Sequence, residues 1–164
     1  MVKMIIIFII NIILDTSVMP VFEVFGVSCG LSIPIIIYLS LRAKNDKISY
    51  YAILLGLFLD IYFSNYLGVR ALSFYLISYF TFHKKKMDFA SIRTGLIATS
   101  LAIIFNEIYM LLVGIISGSK LVTGSVTIEL VYGLIYKLLS SLVIYIFIYL
   151  ILDKLVFKRK EKFY

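Results

Sequence analysis

The chain consists of long apolar runs separated by short polar or charged segments. These runs are continuous over about 15 residues or more and do not alternate, a pattern that favours helices over strands. A helix needs about 20 apolar residues to cross the hydrocarbon core of a bilayer. The pattern therefore predicts six membrane spans, at about residues 4–19, 21–41, 48–63, 67–82, 92–116 and 128–155.

The connections between the runs set the expected order of the helices. Met19-Pro20 predicts a short corner between the first two spans, and Ser64-Asn65-Tyr66 predicts a tight turn between the third and fourth. A loop rich in Gly and Ser, residues 117–125, separates the last two spans. We therefore expect an all-α fold, a polytopic six-helix bundle that forms a single integral membrane domain over residues 1–164.

Composition supports this class of protein and excludes several kinds of site. Apolar residues make up 62% of the chain, against roughly 45–50% in a soluble domain. The single cysteine, Cys29, excludes an intramolecular disulfide and a cysteine-based zinc cluster, and the single histidine, His83, excludes a multi-histidine metal site. No G-x-S-x-G, Walker or H-E-x-x-H motif is present. The sequence therefore predicts neither an enzyme nor a cofactor.

The N-terminal apolar run after Lys3 is similar to the start of a signal peptide. No A-x-A-like cleavage site follows it. We interpret this run as a retained first span.

The basic residues predict the orientation of the chain. Two of the sixteen Lys and Arg, Arg70 and Lys120, fall on one side of the spans, and Lys137 lies inside the sixth span. The remaining thirteen fall on the other side: Lys3, Arg42, Lys44, Lys47, Lys84, Lys85, Lys86, Arg93, Lys154, Lys158, Arg159, Lys160 and Lys162. The positive-inside rule then places both termini in the cytoplasm. We expect the clusters Lys84–Lys86 and Lys158–Lys160 to contact anionic membrane lipid, and no nucleic acid partner is expected.

Four charged residues lie inside the predicted spans: Asp15, Asp60, Glu107 and Lys137. An unpaired charge near the bilayer centre costs about 2.5–3.5 kcal/mol on insertion scales, so each needs a partner. Two interpretations are open. The four groups could form one inward-facing polar cluster in the outer half of the bundle. Alternatively, Lys137 neutralises one carboxylate, while Asp60 caps the fourth span or meets Arg70.

The third span carries two small residues and an acid on one face. Ala52, Gly56 and Asp60 are spaced at i, i+4 and i+8, which places them on the same side of a helix. Small residues let helix backbones approach closely in lipid. We therefore expect this face to pack against protein.

The segment from Tyr51 to Leu72 resembles the signature of the MreD family of bacterial rod shape-determining proteins. The matching positions are Gly56, Asp60, Leu67-Gly68 and Ala71, and the helix after them closes on the basic run 83–86. Pro34 in the second span and Glu107 in the fifth agree with the family as well. One departure is Ile35, which stands where family members often have an acid.

The resemblance implies a multi-pass protein of the bacterial cell (inner) membrane that acts as a non-catalytic scaffold of the cell-elongation complex. Its implied partner is MreC, with indirect links to the MreB filament, RodA and a class B penicillin-binding protein that together make lateral-wall peptidoglycan. Helix-packing or partner-binding roles would fall on Ala52, Gly56, Asp60, Leu67 and Gly68.

The family is also similar in architecture to the S components of energy-coupling-factor vitamin transporters. That similarity supplies an alternative function, a membrane receptor for a small molecule. S components dock through an Ala-x-x-x-Ala face on their first helix, whereas the first span here is mostly isoleucine. This difference favours the scaffold.

Overall fold

A computed structural model of the chain describes residues 2–22, 30–42, 47–63, 67–84, 91–117 and 126–152. Within these ranges there are six α-helices and no strand, which confirms the prediction of an all-α fold. The helices are α1 Val2–Ile13, α2 Ser32–Arg42, α3 Lys47–Phe63, α4 Val69–Lys84, α5 Ile92–Ile116 and α6 Val126–Leu152. Cys29, Lys85, Lys86, Lys120 and the cluster Lys158–Lys160 lie outside the described residues.

The first helix changes its geometry before it ends. α1 runs into a π-helical turn, Leu14–Val18, and then into a 3₁₀ turn, Met19–Phe22, at the position of the predicted Met19-Pro20 corner. Phe8 packs α1 against α3, with its ring centroid 5.5 Å from that of Tyr51 and 5.7 Å from that of Phe58, both edge to face. α1 therefore packs against α3, while Ile5, Ile6 and Ile9 on α1 are exposed.

The second helix is short, buried and central. It begins at Ser32, although a span over 21–41 was predicted, and Gly30 and Leu31 before it are not helical. Eleven residues make a helix of about 16 Å, shorter than the hydrocarbon core of about 30 Å. All residues from Ser32 to Ser40 are buried, and α2 contacts α3, α4, α5 and α6. The core of the molecule therefore surrounds α2.

The third and fourth helices form the hairpin that the sequence predicts. They begin and end within two residues of the predicted bounds and make the most extensive contact of any two described helices. Between them, Gly68 has a backbone φ of +92°, in the left-handed region that favours glycine. This conformation turns the chain directly into α4.

The last two helices are the longest. Ile92–Ile116 and Tyr132–Leu152 are long and apolar enough to cross a membrane, and only 22% and 17% of the residues in their most apolar stretches are buried. α5 matches the predicted span 92–116, and Ser91 caps it by accepting a hydrogen bond from the Thr94 N–H at 3.4 Å. The number of membrane crossings and their orientation stay predictions.

Candidate functional site

Asp60 caps the start of α4 from the neighbouring helix. Its side chain is fully buried near the end of α3. One carboxylate oxygen accepts hydrogen bonds from the backbone N–H groups of Gly68 at 2.8 Å and Arg70 at 3.0 Å, with Ala71 at 3.4 Å. These N–H groups have no partner within α4, because the first turn of any helix leaves its donors free. A carboxylate at this end is also favoured by the helix dipole.

Gly68 explains why the capping side chain comes from another helix. It begins α4, since its carbonyl oxygen accepts the first helical hydrogen bond, from the Leu72 N–H at 2.9 Å. A capping residue ordinarily contributes a Ser, Thr, Asp or Asn side chain. Glycine has none, and its positive φ would strain any other residue. Asp60 therefore supplies from α3 the cap that Gly68 lacks, whereas Leu67 beside it is 73% exposed.

Gly56 brings the backbones of α3 and α4 into contact. A Cβ atom at this position would lie 2.6 Å from the backbone nitrogen of Ala71 and still closer to its Cα. Real side chains do not tolerate such distances, so only glycine fits without moving α4. Ala52, one turn earlier, is also fully buried. The face formed by Ala52, Gly56 and Asp60 is thus turned toward the inside of the protein.

Asp15 caps α2 in a similar way. It lies in the π-helical turn after α1 and is buried. Its carboxylate accepts hydrogen bonds from the Leu31 N–H at 2.7 Å and from the Ser32 hydroxyl. Asp15 therefore joins the first helical segment to Leu31 and Ser32 at the start of α2, which lie 16 and 17 residues further along the chain.

Glu107 and Lys137 form an ion pair between α5 and α6. The two side chains are 25% and 22% exposed. The pair lies about 13 Å from the Ile116 end of α5, given a rise of 1.5 Å per residue. Lys137 thus neutralises Glu107, which agrees with the interpretation that Lys137 pairs with one of the carboxylates.

Arg70 binds Asp60 through its backbone. It lies in the first turn of α4, and its backbone N–H donates to the two carboxylate oxygens of Asp60 at 3.0 and 3.2 Å. Its guanidinium is 5.3 Å from the centroid of the Phe63 ring. The three acids have separate hydrogen-bond partners, so the described contacts form three local arrangements.

The three arrangements are alike. In the pairs α1–α2, α3–α4 and α5–α6, a carboxylate on the earlier element binds the later one: Asp15 binds the start of α2, Asp60 the start of α4, and Glu107 binds Lys137 on α6. Each acid satisfies donors that would be costly to leave free in an apolar surrounding. We call these three carboxylate contacts polar fastenings.

Several contacts could not be found from sequence patterns. Ser73 donates to Asn106 at 2.8 Å between α4 and α5, and Ser40 and Ser78 are 3.1 Å apart between α2 and α4. Small polar residues within apolar runs form no sequence pattern that predicts these contacts. Their pairing depends on which helices meet.

Residues on α1 and α5 also make contacts that the sequence did not single out. The buried amide of Asn11 has no hydrogen-bond partner among the described residues, and neither has the buried hydroxyl of Tyr51. On α5, Gly95 leaves the space that the ring of buried Tyr145 occupies. A Cβ atom at position 95 would lie 2.6 Å from Cε1 of that ring.

No group of three or more His, Cys, Asp or Glu side chains that could hold a metal ion occurs in the part of the chain that the structure describes. The acids are instead bound to backbone N–H groups, a hydroxyl and a lysine. These arrangements hold helices together, and the geometry is that of a structural site.

Comparison with known proteins identifies a family. A family model described as rod shape-determining protein MreD matches residues 1–155, almost the whole chain. No curated protein and no solved structure matches the chain. The expected similarity to S components therefore stays a prediction.

Proposed function

Because the chain belongs to the MreD family of rod shape-determining proteins, we propose that it is a non-catalytic membrane scaffold that binds MreC. Through MreC it acts with the MreB filament, RodA and a class B penicillin-binding protein in making lateral-wall peptidoglycan. It lies in the inner membrane as a multi-pass protein with both termini in the cytoplasm. Membership of the family itself implies a role in rod shape determination.

The observation that carries this proposal is the fastening of α3 to α4 by the residues of the family signature. Asp60 binds three N–H groups of α4, and Gly56 lets the two backbones touch. A buried carboxylate bound to backbone donors is held for structure, because its hydrogen-bonding capacity is used within the protein. The signature thus supports a rigid hairpin.

A rigid bundle suits a scaffold. Binding costs less when the surface is ordered before the partner arrives, since fewer side chains and helices must be immobilised. The three carboxylate fastenings order the helix pairs in this way. The scaffold therefore presents a fixed surface to MreC and transmits its position to the wall enzymes.

Affinity purification from native membranes tests the proposal. The full chain with a C-terminal tag is extracted in mild detergent, and MreC is quantified by mass spectrometry. An unrelated tagged multi-pass protein of the same membrane serves as control. We expect MreC to be enriched with the tagged chain and not with the control. Absence of MreC together with a bound small molecule, seen by native mass spectrometry, would favour the receptor function instead.

A further inference from the structure

The ion pair between Glu107 and Lys137 differs from the other two fastenings because it reaches the surface. Asp60 and Asp15 are buried. In contrast, the side chains of Lys137 and Glu107 are 22% and 25% exposed. Ile104 and Leu111 lie at i−3 and i+4 from Glu107, on the same side of α5, and are exposed. We call these four residues, Ile104, Glu107, Leu111 and Lys137, the α5–α6 seam.

The seam has unused hydrogen-bonding capacity. An ammonium group has three donors, and a carboxylate has two acceptor oxygens. Within the described residues, the only hydrogen bond made by either side chain is the one between them. At least one donor of Lys137 and one oxygen of Glu107 therefore remain unused by the described residues.

The depth of the seam excludes the polar part of a lipid as that group. Glu107 lies about 13 Å from one end of α5 and about 22 Å from the other, so it is close to the middle of a helix of membrane-spanning length. Acyl chains surround this depth, and they offer neither donors nor acceptors. A hydrogen-bonding side chain carried there by another helix would satisfy the pair.

We propose that a transmembrane helix of a partner protein docks on the α5–α6 seam and places a neutral hydrogen-bonding side chain against the ion pair. The partner residue is neutral because the pair already has no net charge, and a third charge would be left without a counterion. An amide fits best, since it donates to the Glu107 carboxylate and accepts from the Lys137 ammonium. Exposed Ile104 and Leu111 supply apolar contact on either side.

The internal use of the signature face supports this location. Ala52, Gly56 and Asp60 are buried and are not available to a partner. By contrast, only 22% and 17% of the residues in the most apolar stretches of α5 and α6 are buried. The inference rests on the proposed function as a scaffold, because it names the surface by which the scaffold holds a membrane partner.

Synthetic transmembrane peptides test the docking directly. The purified full chain, labelled with a donor fluorophore, is reconstituted into phosphatidylethanolamine and phosphatidylglycerol vesicles with acceptor-labelled leucine peptides. One peptide carries a single Asn at its centre and the other is all Leu. We expect energy transfer to show roughly three- to tenfold tighter association of the Asn peptide, the range for interhelical hydrogen bonds in membranes. Equal association of the two peptides would overturn the proposal.

Two double variants identify the seam as the binding site. Glu107→Leu with Lys137→Leu removes both charges together and should abolish the preference for Asn. Glu107→Lys with Lys137→Glu keeps an ion pair and should retain the preference for Asn. This variant controls for folding. A preference for the Asn peptide that persists in the double-Leu variant would contradict the inference. Energy transfer between two labelled copies of the native chain that is lost in the double-Leu variant would contradict it as well, because the seam would then bind a second copy. The peptide measurement does not involve MreC, so its failure leaves the proposed function standing.

Discussion

Gly68 and Asp60 together form the N-terminal cap of α4. Gly68 has the backbone conformation that starts α4 but no side chain to cap it, and Asp60 brings the missing carboxylate from α3. The sequence predicts that Gly56 and Asp60 share a helix face, because this follows from helical spacing. It left open whether Asp60 caps the fourth span or pairs with Arg70. That choice depends on where the turn places the N–H groups.

Adding one methyl group at Gly56 tests the close approach of α3 and α4. Gly56→Ala adds one methyl group within 2.6 Å of the Ala71 nitrogen, so α4 must move. We expect a loss of about 1–3 kcal/mol in the free energy of unfolding, typical of overpacking. Gly30→Ala is the matched control, because nothing lies within 4 Å of its added Cβ. Thermal unfolding in detergent, followed by circular dichroism, measures both; equal stability of the two variants would refute the close approach.

Substitutions of Asp60 separate hydrogen bonding from charge. Asp60→Leu leaves N–H groups at the start of α4, which are buried or partly buried, without a partner and should cost about 1–3 kcal/mol of stability. Asp60→Asn keeps one acceptor oxygen and should cost less. The same unfolding assay compares the two variants with the native chain. Equal and complete loss with Asn and Leu would show that the negative charge itself is required, for example beside Arg70.

The helices differ in how well apolar runs define them. α5 has the predicted bounds 92–116, because a serine cap and a Gly- and Ser-containing stretch flank its apolar run. α2 begins at Ser32 although apolar residues precede it, since its start is fixed by Asp15 from another element. Continuity of apolar residues indicates that a segment avoids water, either inside the protein or in lipid. It does not show where the regular helix starts.

The cap on α2 can be tested at the level of the element. Asp15→Ala should free the Leu31 N–H and speed hydrogen exchange over the first turn of α2, with a stability loss of about 1–3 kcal/mol. Thr16→Ala is the neighbouring control, since the hydrogen bonds of the Thr16 hydroxyl to described residues lie within its own helix, to Ile12 at 2.8 Å and more weakly to Ile13. Exchange that is no faster in Asp15→Ala than in Thr16→Ala would exclude the cap.

At the scale of the whole molecule, the charge distribution predicts the topology. Thirteen Lys and Arg on one side against two on the other place residue 119 outside the cell and residue 160 inside. In a Cys29→Ser background, an impermeant thiol reagent should label Ser119→Cys in intact spheroplasts. It should label Lys160→Cys only after permeabilisation. The reverse labelling would show that the bundle has the opposite orientation in the membrane.

Restoration of rod shape in a strain lacking the native protein tests the central claim, that a fastened α3–α4 hairpin supports the scaffold. The native chain and Gly30→Ala should restore normal cell width. Gly56→Leu and Asp60→Leu should insert in the membrane at normal levels, recover less MreC and leave the cells round, because both disrupt the hairpin. Full restoration of rod shape by Asp60→Leu at normal protein levels would contradict the account.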